Sequence, residues 1–208
     1  MRSIIFHIML LAAFLLPLES GAGDLEPIRY SFEDSTDGWR VPDWALYQGD
    51  HVAESLEIST DHASEGESSA VIMCDFTGKS WQAALVEVQK PFDLTGYDEI
   101  SVDVYMPRRA PRNLMQGRII LTAGEGWYFT EMKAPVYLPR GKWTTIRAEL
   151  ESTRPESSVW KGREEKRLYK NIDKIKKISV RIEYDVAPPT RLGRKYKGPI
   201  YLDNVVIE

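Results

Sequence analysis

The chain has 208 residues, of which 43% are hydrophobic and 28% charged, with a net charge of −4 and one cysteine. That length suits one domain with a full core. A single cysteine excludes an internal disulfide framework, and beyond the N-terminus no apolar run is long enough to cross a bilayer.

Residues 1–22 read as a secretory signal peptide. Arg2 supplies the positive start, Ile4 to Pro17 is almost wholly apolar, and Ser20-Gly21-Ala22 offers small residues at the cleavage point. No cysteine lies there to carry a lipid. The expected product is a domain of residues 23–208, secreted or periplasmic, with no membrane attachment after cleavage.

Period-2 alternation then predicts strands over 28–33, 46–49, 52–59, 69–76 and 81–89, with polar turns at 34–38 and 60–68. Cys74 falls in the fourth of these runs, where a buried, inert thiol is expected. The clearest pattern lies at 93–107. Asp93 and Asp98 can bond nearby amides, and Gly96 suits a tight turn. Ile100, Val102, Val104 and Met106 then alternate with Glu99, Ser101, Asp103 and Tyr105 until Pro107 ends the ladder. Such a strand belongs to an antiparallel sheet with one dry and one wet face.

Further strands are predicted at 114–122, 127–130, 134–138 and 143–150. A polar loop follows at 151–162, and helical composition at 163–172 predicts one short helix. Strong alternation marks a strand at 175–184, a Pro- and Arg-rich loop spans 187–198, and a closing strand spans 199–207. About ten to twelve short strands between turn signals predict an all-β, two-sheet antiparallel β-sandwich.

Charge is uneven along the chain. Residues 23–106 hold 4 Lys/Arg against 18 Asp/Glu, whereas residues 107–208 hold 22 against 12. A basic half can signal nucleic acid. In a β-sandwich, however, early and late strands lie side by side, and mutual neutralisation is the expectation, with no nucleic-acid partner.

Signatures of catalysis are missing. His51 and His62 are the only histidines after residue 22, and neither belongs to a zinc motif. There is no nucleophile elbow and no phosphate loop. Carboxylates are plentiful, but no pair stands out as a glycosidase couple. The six tryptophans (Trp39, Trp44, Trp81, Trp127, Trp143, Trp160) are more informative. Trp143, heading a strand after Gly141-Lys142, suits packing. Trp81 and Trp127 stand at strand entries, where a ring can be displayed to the C–H face of a sugar.

Several stretches resemble one known group. Phe32-Glu33 with Gly38-Trp39 and His62-Ala63-Ser64-Glu65-Gly66 are similar to the start of many carbohydrate-binding modules. The 93–105 stretch is similar to their middle, and Gly141-Lys142-Trp143-Thr144-Thr145 and Ile200-Tyr201-Leu202-Asp203-Asn204-Val205 to their end. The resemblance implies a galactose-binding-like jelly roll of the kind appended to bacterial polysaccharide-degrading enzymes. It places 69–76, 99–106, 143–150 and 199–207 in one sheet. It places 81–89, 114–122, 127–138 and 175–184 in the other, concave one. It implies a ligand face carrying Trp81, Glu87, Arg118, Thr122, Arg181 and Glu183, with Trp127 at the rim. It also implies a structural calcium near Glu33, Glu65 and Asp203, whose hard oxygen ligands suit that ion. The expected function is that of a monomeric, non-catalytic module binding a poly- or oligosaccharide. The alternatives are a hydrolase or lyase on the same sandwich, or an envelope domain that binds protein.

Overall fold

A computed structural model describes residues 25–112, 114–150, 159–161, 168–184 and 194–208. The expected signal peptide at 1–22 lies outside the described residues. In chain order the described strands are β1 (Ile28–Tyr30), β2 (Trp39–Arg40), β3 (Ala53–Ser59), β4 (Ser69–Phe76), β5 (Gln82–Phe92), β6 (Glu99–Met106), β7 (Met115–Ala123), β8 (Tyr128–Met132), β9 (Val136–Tyr137), β10 (Lys142–Glu149), β11 (Trp160–Lys161), β12 (Ile175–Tyr184) and β13 (Tyr196–Ile207).

They form two antiparallel sheets. The first runs β10-β6-β13-β4-β3, with β1 added on β13. The second runs β11-β8-β7-β12-β5-β2, with β9 added on β7. Every strand expected in the two sheets lies in the sheet assigned to it. Alternation explains the packing. Ile100, Val102, Val104 and Met106 of β6 point into the sandwich with Ile200 and Leu202 of β13. They meet Val86 and Val88 of β5, Ile119 and Leu121 of β7, and Ile178, Val180 and Ile182 of β12. Gly117 lets the layers close: a Cβ there would lie 2.3 Å from Ile146 Cδ1 on the opposite sheet. Cys74 is buried among these residues, its thiol donating to the Gly198 carbonyl at 3.0 Å. Burial pushes that thiol well above its ordinary range, which keeps it protonated and unreactive.

Three local expectations differ from the structure. The stretch 46–49 is not a strand. Ala45–Tyr47 forms a 3-10 turn, because Ala45 and Gln48 close local bonds to Pro42 and Ala45. Part of the polar loop expected at 151–162 contains β11. Trp160 is fully buried there, and its indole donates to the Glu149 carbonyl at 2.8 Å. Of the helix expected over 163–172, residues 163–167 lie outside the described residues. Leu168 and Tyr169 are helical, and the chain then turns into a 3-10 turn at Ile172–Lys174.

On the outer face of the first sheet the register aligns Trp143, Tyr105 and Tyr201 across β10, β6 and β13. Tyr105 packs on Trp143 at 5.5 Å and on His62 at 4.3 Å between ring centres. Trp143 therefore packs, as its position after the turn suggests.

Candidate functional site

The outer face of the second sheet collects the charged residues. On β12, Lys177, Ser179, Arg181 and Glu183 alternate outward, against Ile178, Val180, Ile182 and Tyr184 inward. The register sets Arg181 opposite Arg118 on β7 and Leu85 on β5, and Ser179 opposite Ile120 and Glu87. Two like-charged guanidiniums side by side require an anion between them. Glu183 is that anion: its Oε1 accepts from Arg118 Nε at 3.0 Å and from Arg181 Nε at 2.8 Å. Arg118 also donates to the Met132 and Lys133 carbonyls, and Arg181 to Glu131. A second pair, Lys177 with Glu87 at 3.1 Å, lies beside them. Three cations thus meet three carboxylates, and each has a partner.

This face is more deeply buried than an open sheet surface. Glu183 is 6% exposed and Glu87 2%. Ile120 and Leu85, which also point outward, are buried as well. In so dry a setting the ion pairs fix geometry more than they add stability, because desolvation offsets their attraction.

Two indoles stand clear of it. Trp81, 37% exposed, lies with its ring 5.8 Å from the Arg181 guanidinium. Trp127, 47% exposed, lies with its ring 5.2 Å from Lys176 Nζ and 5.5 Å from Lys177 Nζ. Lys177 and Arg181 are four residues apart on one strand, about 13 Å. The two rings therefore flank one outward stripe, each over a different cation of the same strand. Trp127 also walls a pocket of about 340 Å³ with Gln89, Pro91 and Lys176. Its backbone has φ +52°, a region a bulky side chain adopts only at a cost. The turn Gly124–Trp127 holds it there through the Trp127 amide bond to the Gly124 carbonyl, 3.2 Å.

All six sequence-predicted ligand residues, Trp81, Glu87, Arg118, Trp127, Arg181 and Glu183, therefore lie on or at the rim of one sheet face, as does Thr122. Lys177, Glu131 and the half-exposed Phe129 were not among them. Lys177 carried the signal, since it continues the β12 alternation. Glu131 did not, because it lies beyond the 127–130 alternation, and only its pairing with Ile120 sets it on this face.

The three expected calcium ligands are used differently. Asp203 is buried, and its Oδ2 accepts from the Ser64 and Glu65 amides at 2.7 and 3.2 Å. Burial raises its proton affinity above the ordinary carboxylate value, against the pull of these donors. Glu33 accepts from the Glu67 amide at 3.2 Å. Glu65 enters through its backbone. Among the described residues no three His, Cys, Asp or Glu side chains converge as a metal group. Glu33, Glu65 and Asp203 thus do not fit together as a calcium ligand set.

No protein-family profile and no curated protein matches the chain. Solved structures do. A non-crystalline-cellulose-specific carbohydrate-binding module, CBM28, superposes with TM-score 0.55 at 15% identity, over 86% of this chain and 92% of that one. The CBM22-1 xylan-binding domain from Paenibacillus barcinonensis Xyn10C gives 0.50 at 14%, over 87% and 92%. The mannan-recognising module TmCBM27 gives 0.50 at 16%, over 88% and 98%. The chain has the two-sheet β-sandwich fold of these carbohydrate-binding modules.

Proposed function

We propose that the protein is an exported, non-catalytic module that binds a poly- or oligosaccharide along the outer face of β12. Trp81 and Trp127 supply stacking platforms at the two ends of the stripe. The ion network between them holds Arg181, Lys177 and the adjoining carboxylates in fixed positions, where their free edges hydrogen-bond sugar hydroxyls. The observation that carries this reading is that two exposed indoles sit over cations of the same strand, on the same face, one of them in a strained backbone conformation. Solved neighbours of the same fold that are carbohydrate-binding modules support it.

Affinity gel electrophoresis against glucans, mannans, xylans and acidic polysaccharides tests it. Retardation by at least one polymer is expected. Trp81→Ala and Trp127→Ala should each weaken binding by about 1–3 kcal/mol, the range for loss of one stacking platform. Folded protein that no polymer retards, or full affinity in both variants, overturns the reading.

A further inference from the structure

Several Lys and Arg side chains elsewhere on the molecule pair with carboxylates: Lys197 with Glu54 and Asp75, Arg147 with Glu99, Lys176 with Glu125, Lys177 with Glu87. These pairs join the acidic first half of the sequence to its basic second half, with Lys176–Glu125 local to the second. Single cations such as Arg40, Lys79 and Lys142 have no such partner among the described residues, but at one place several gather. At one end of the sandwich Arg109, Arg112, Arg140, Arg194 and Lys195 line a pocket of about 590 Å³. Among the described residues no Asp or Glu lines it. Only Lys195 is in an ion pair, with Asp75 at 3.3 Å. Among the described residues the four guanidiniums pair with no carboxylate.

The pocket is shaped by the fold. Arg109 and Arg112 come from the loop after β6, Arg140 from the turn before β10, and Arg194 and Lys195 from the entry to β13. Gly198 makes room for Arg109: its φ is +152°, and a Cβ there would stand 2.8 Å from Arg109 Nη2. The Tyr196 hydroxyl, whose proton affinity burial raises, adjoins the same guanidinium.

We infer that this pocket binds an oxyanion, and that its natural source is an acidic substituent, carboxylate or sulfate, of the polysaccharide bound on the adjoining face. Guanidinium forks match such groups with paired N–H donors, and several like charges held together without a counter-ion favour an anion that bridges them. The position links the pocket to the sugar face. Leu114, which lines it, directly precedes β7, and Trp81 directly precedes β5. The register places both strand starts beside Tyr184 at the end of β12. A chain lying along β12 and past Trp81 therefore runs toward the pocket. A nucleic acid is the poorer fit. It needs a track of cations following its backbone, whereas here they are confined to one recess of a molecule with net charge −4. The choice of polymer rests on the function proposed above; the anion site itself does not.

The test uses polygalacturonate, dextran sulfate, neutral dextran and inorganic phosphate with the wild type, the double variant Arg112→Glu/Arg140→Glu, and Trp81→Ala. Both substituted arginines are exposed, and a thermal melt confirms folding. The expected result is acidic-polymer binding that falls at least about tenfold in the double variant, with any neutral-polymer binding unchanged. Acidic-polymer binding insensitive to the charge reversal overturns the pocket, even where the Trp-dependent reading stands. Arginine-dependent binding of phosphate without any acidic-polymer binding overturns the assignment to a polysaccharide. Arginine-dependent acidic-polymer binding that survives Trp81→Ala upholds the pocket and separates it from the indole-lined stripe.

Discussion

The β12 face and the basic pocket use the same residue types to opposite ends. On β12, Arg118, Arg181 and Lys177 are matched by Glu183, Glu131 and Glu87, and the set is largely buried. At the end of the sandwich four arginines sit exposed with no carboxylate partner among the described residues. Cations inside the first set are already answered by carboxylates, so they form a rigid frame on which the indoles are mounted and offer a ligand only their remaining N–H edges. Those in the second set have no anion among the described residues. The number of charges therefore says little about what a surface binds; what separates a frame from a site is whether each charge is already answered within the protein.

The sharpest way to break this contrast is to remove the shared anion. Glu183→Ala leaves Arg118 and Arg181 facing each other in a dry setting, with Glu131 the one carboxylate still paired to either among the described residues. A loss of about 3–5 kcal/mol is expected, the range for breaking a buried ion pair from one side, read from urea unfolding. A loss under about 1 kcal/mol would mean that water screens the network and that it frames nothing. A smaller change of opposite sign is expected at the rim. Trp127→Gly relieves the positive φ and should raise stability by about 1 kcal/mol while removing the indole from the binding assay. A variant that loses stability would show that the Trp127 ring packs into the fold and is not held out for a ligand.

Much of this was legible beforehand, and the exceptions have physical causes. The alternation at 99–106 and 175–184 located two dry faces directly, and the outward parity of Arg181 and Glu183 followed from it. Parity said nothing about depth. Ile119-Ile120-Leu121 and Leu85-Val86 are apolar on both faces, and that continuity, not the charged outward neighbours Glu87 and Arg118, foretells burial on both sides. β2 and β11 are two residues each, too short to show any period, and each is anchored by one buried tryptophan, Trp39 or Trp160. The calcium expectation rested on residues whose carboxylates do occur at the expected loops, but two of them are occupied by amide donors that no spacing rule reveals. The basic pocket is not legible in the sequence, because its arginines come from three loops far apart along the chain.

At the pocket itself the expected stability effect is small and depends on salt. Unanswered arginines repel one another, so Arg140→Ala should raise Tm slightly at low ionic strength. The gain should vanish near 1 M salt, where the screening length falls to about 3 Å. A fall in Tm at low salt would mean that Arg140 is held by an attractive partner and that the pocket is already neutralised.

Asp75 is the one carboxylate that joins the two kinds of charge, because it pairs with Lys195 at the pocket and with Lys197 on β13. Its partial burial raises the carboxyl's proton affinity, but the hydrogen bonds from Lys195 and Lys197 outweigh that and leave it below the ordinary value. A depressed folded value means that the unfolded chain takes up the proton first on acidification. The stability Asp75 contributes is therefore fully present above the ordinary carboxylate range and is lost as pH falls through the folded value. Asp75→Asn should accordingly be slightly less stable than the wild type at neutral pH and equal to it at strongly acid pH, as followed by urea unfolding across that range. The same substitution frees Lys195 while Lys197 keeps Glu54, so binding of polygalacturonate at neutral pH should tighten. If binding weakens instead, the Lys195 ammonium depends on Asp75 for its position, and the pocket shares the framed character of the β12 face.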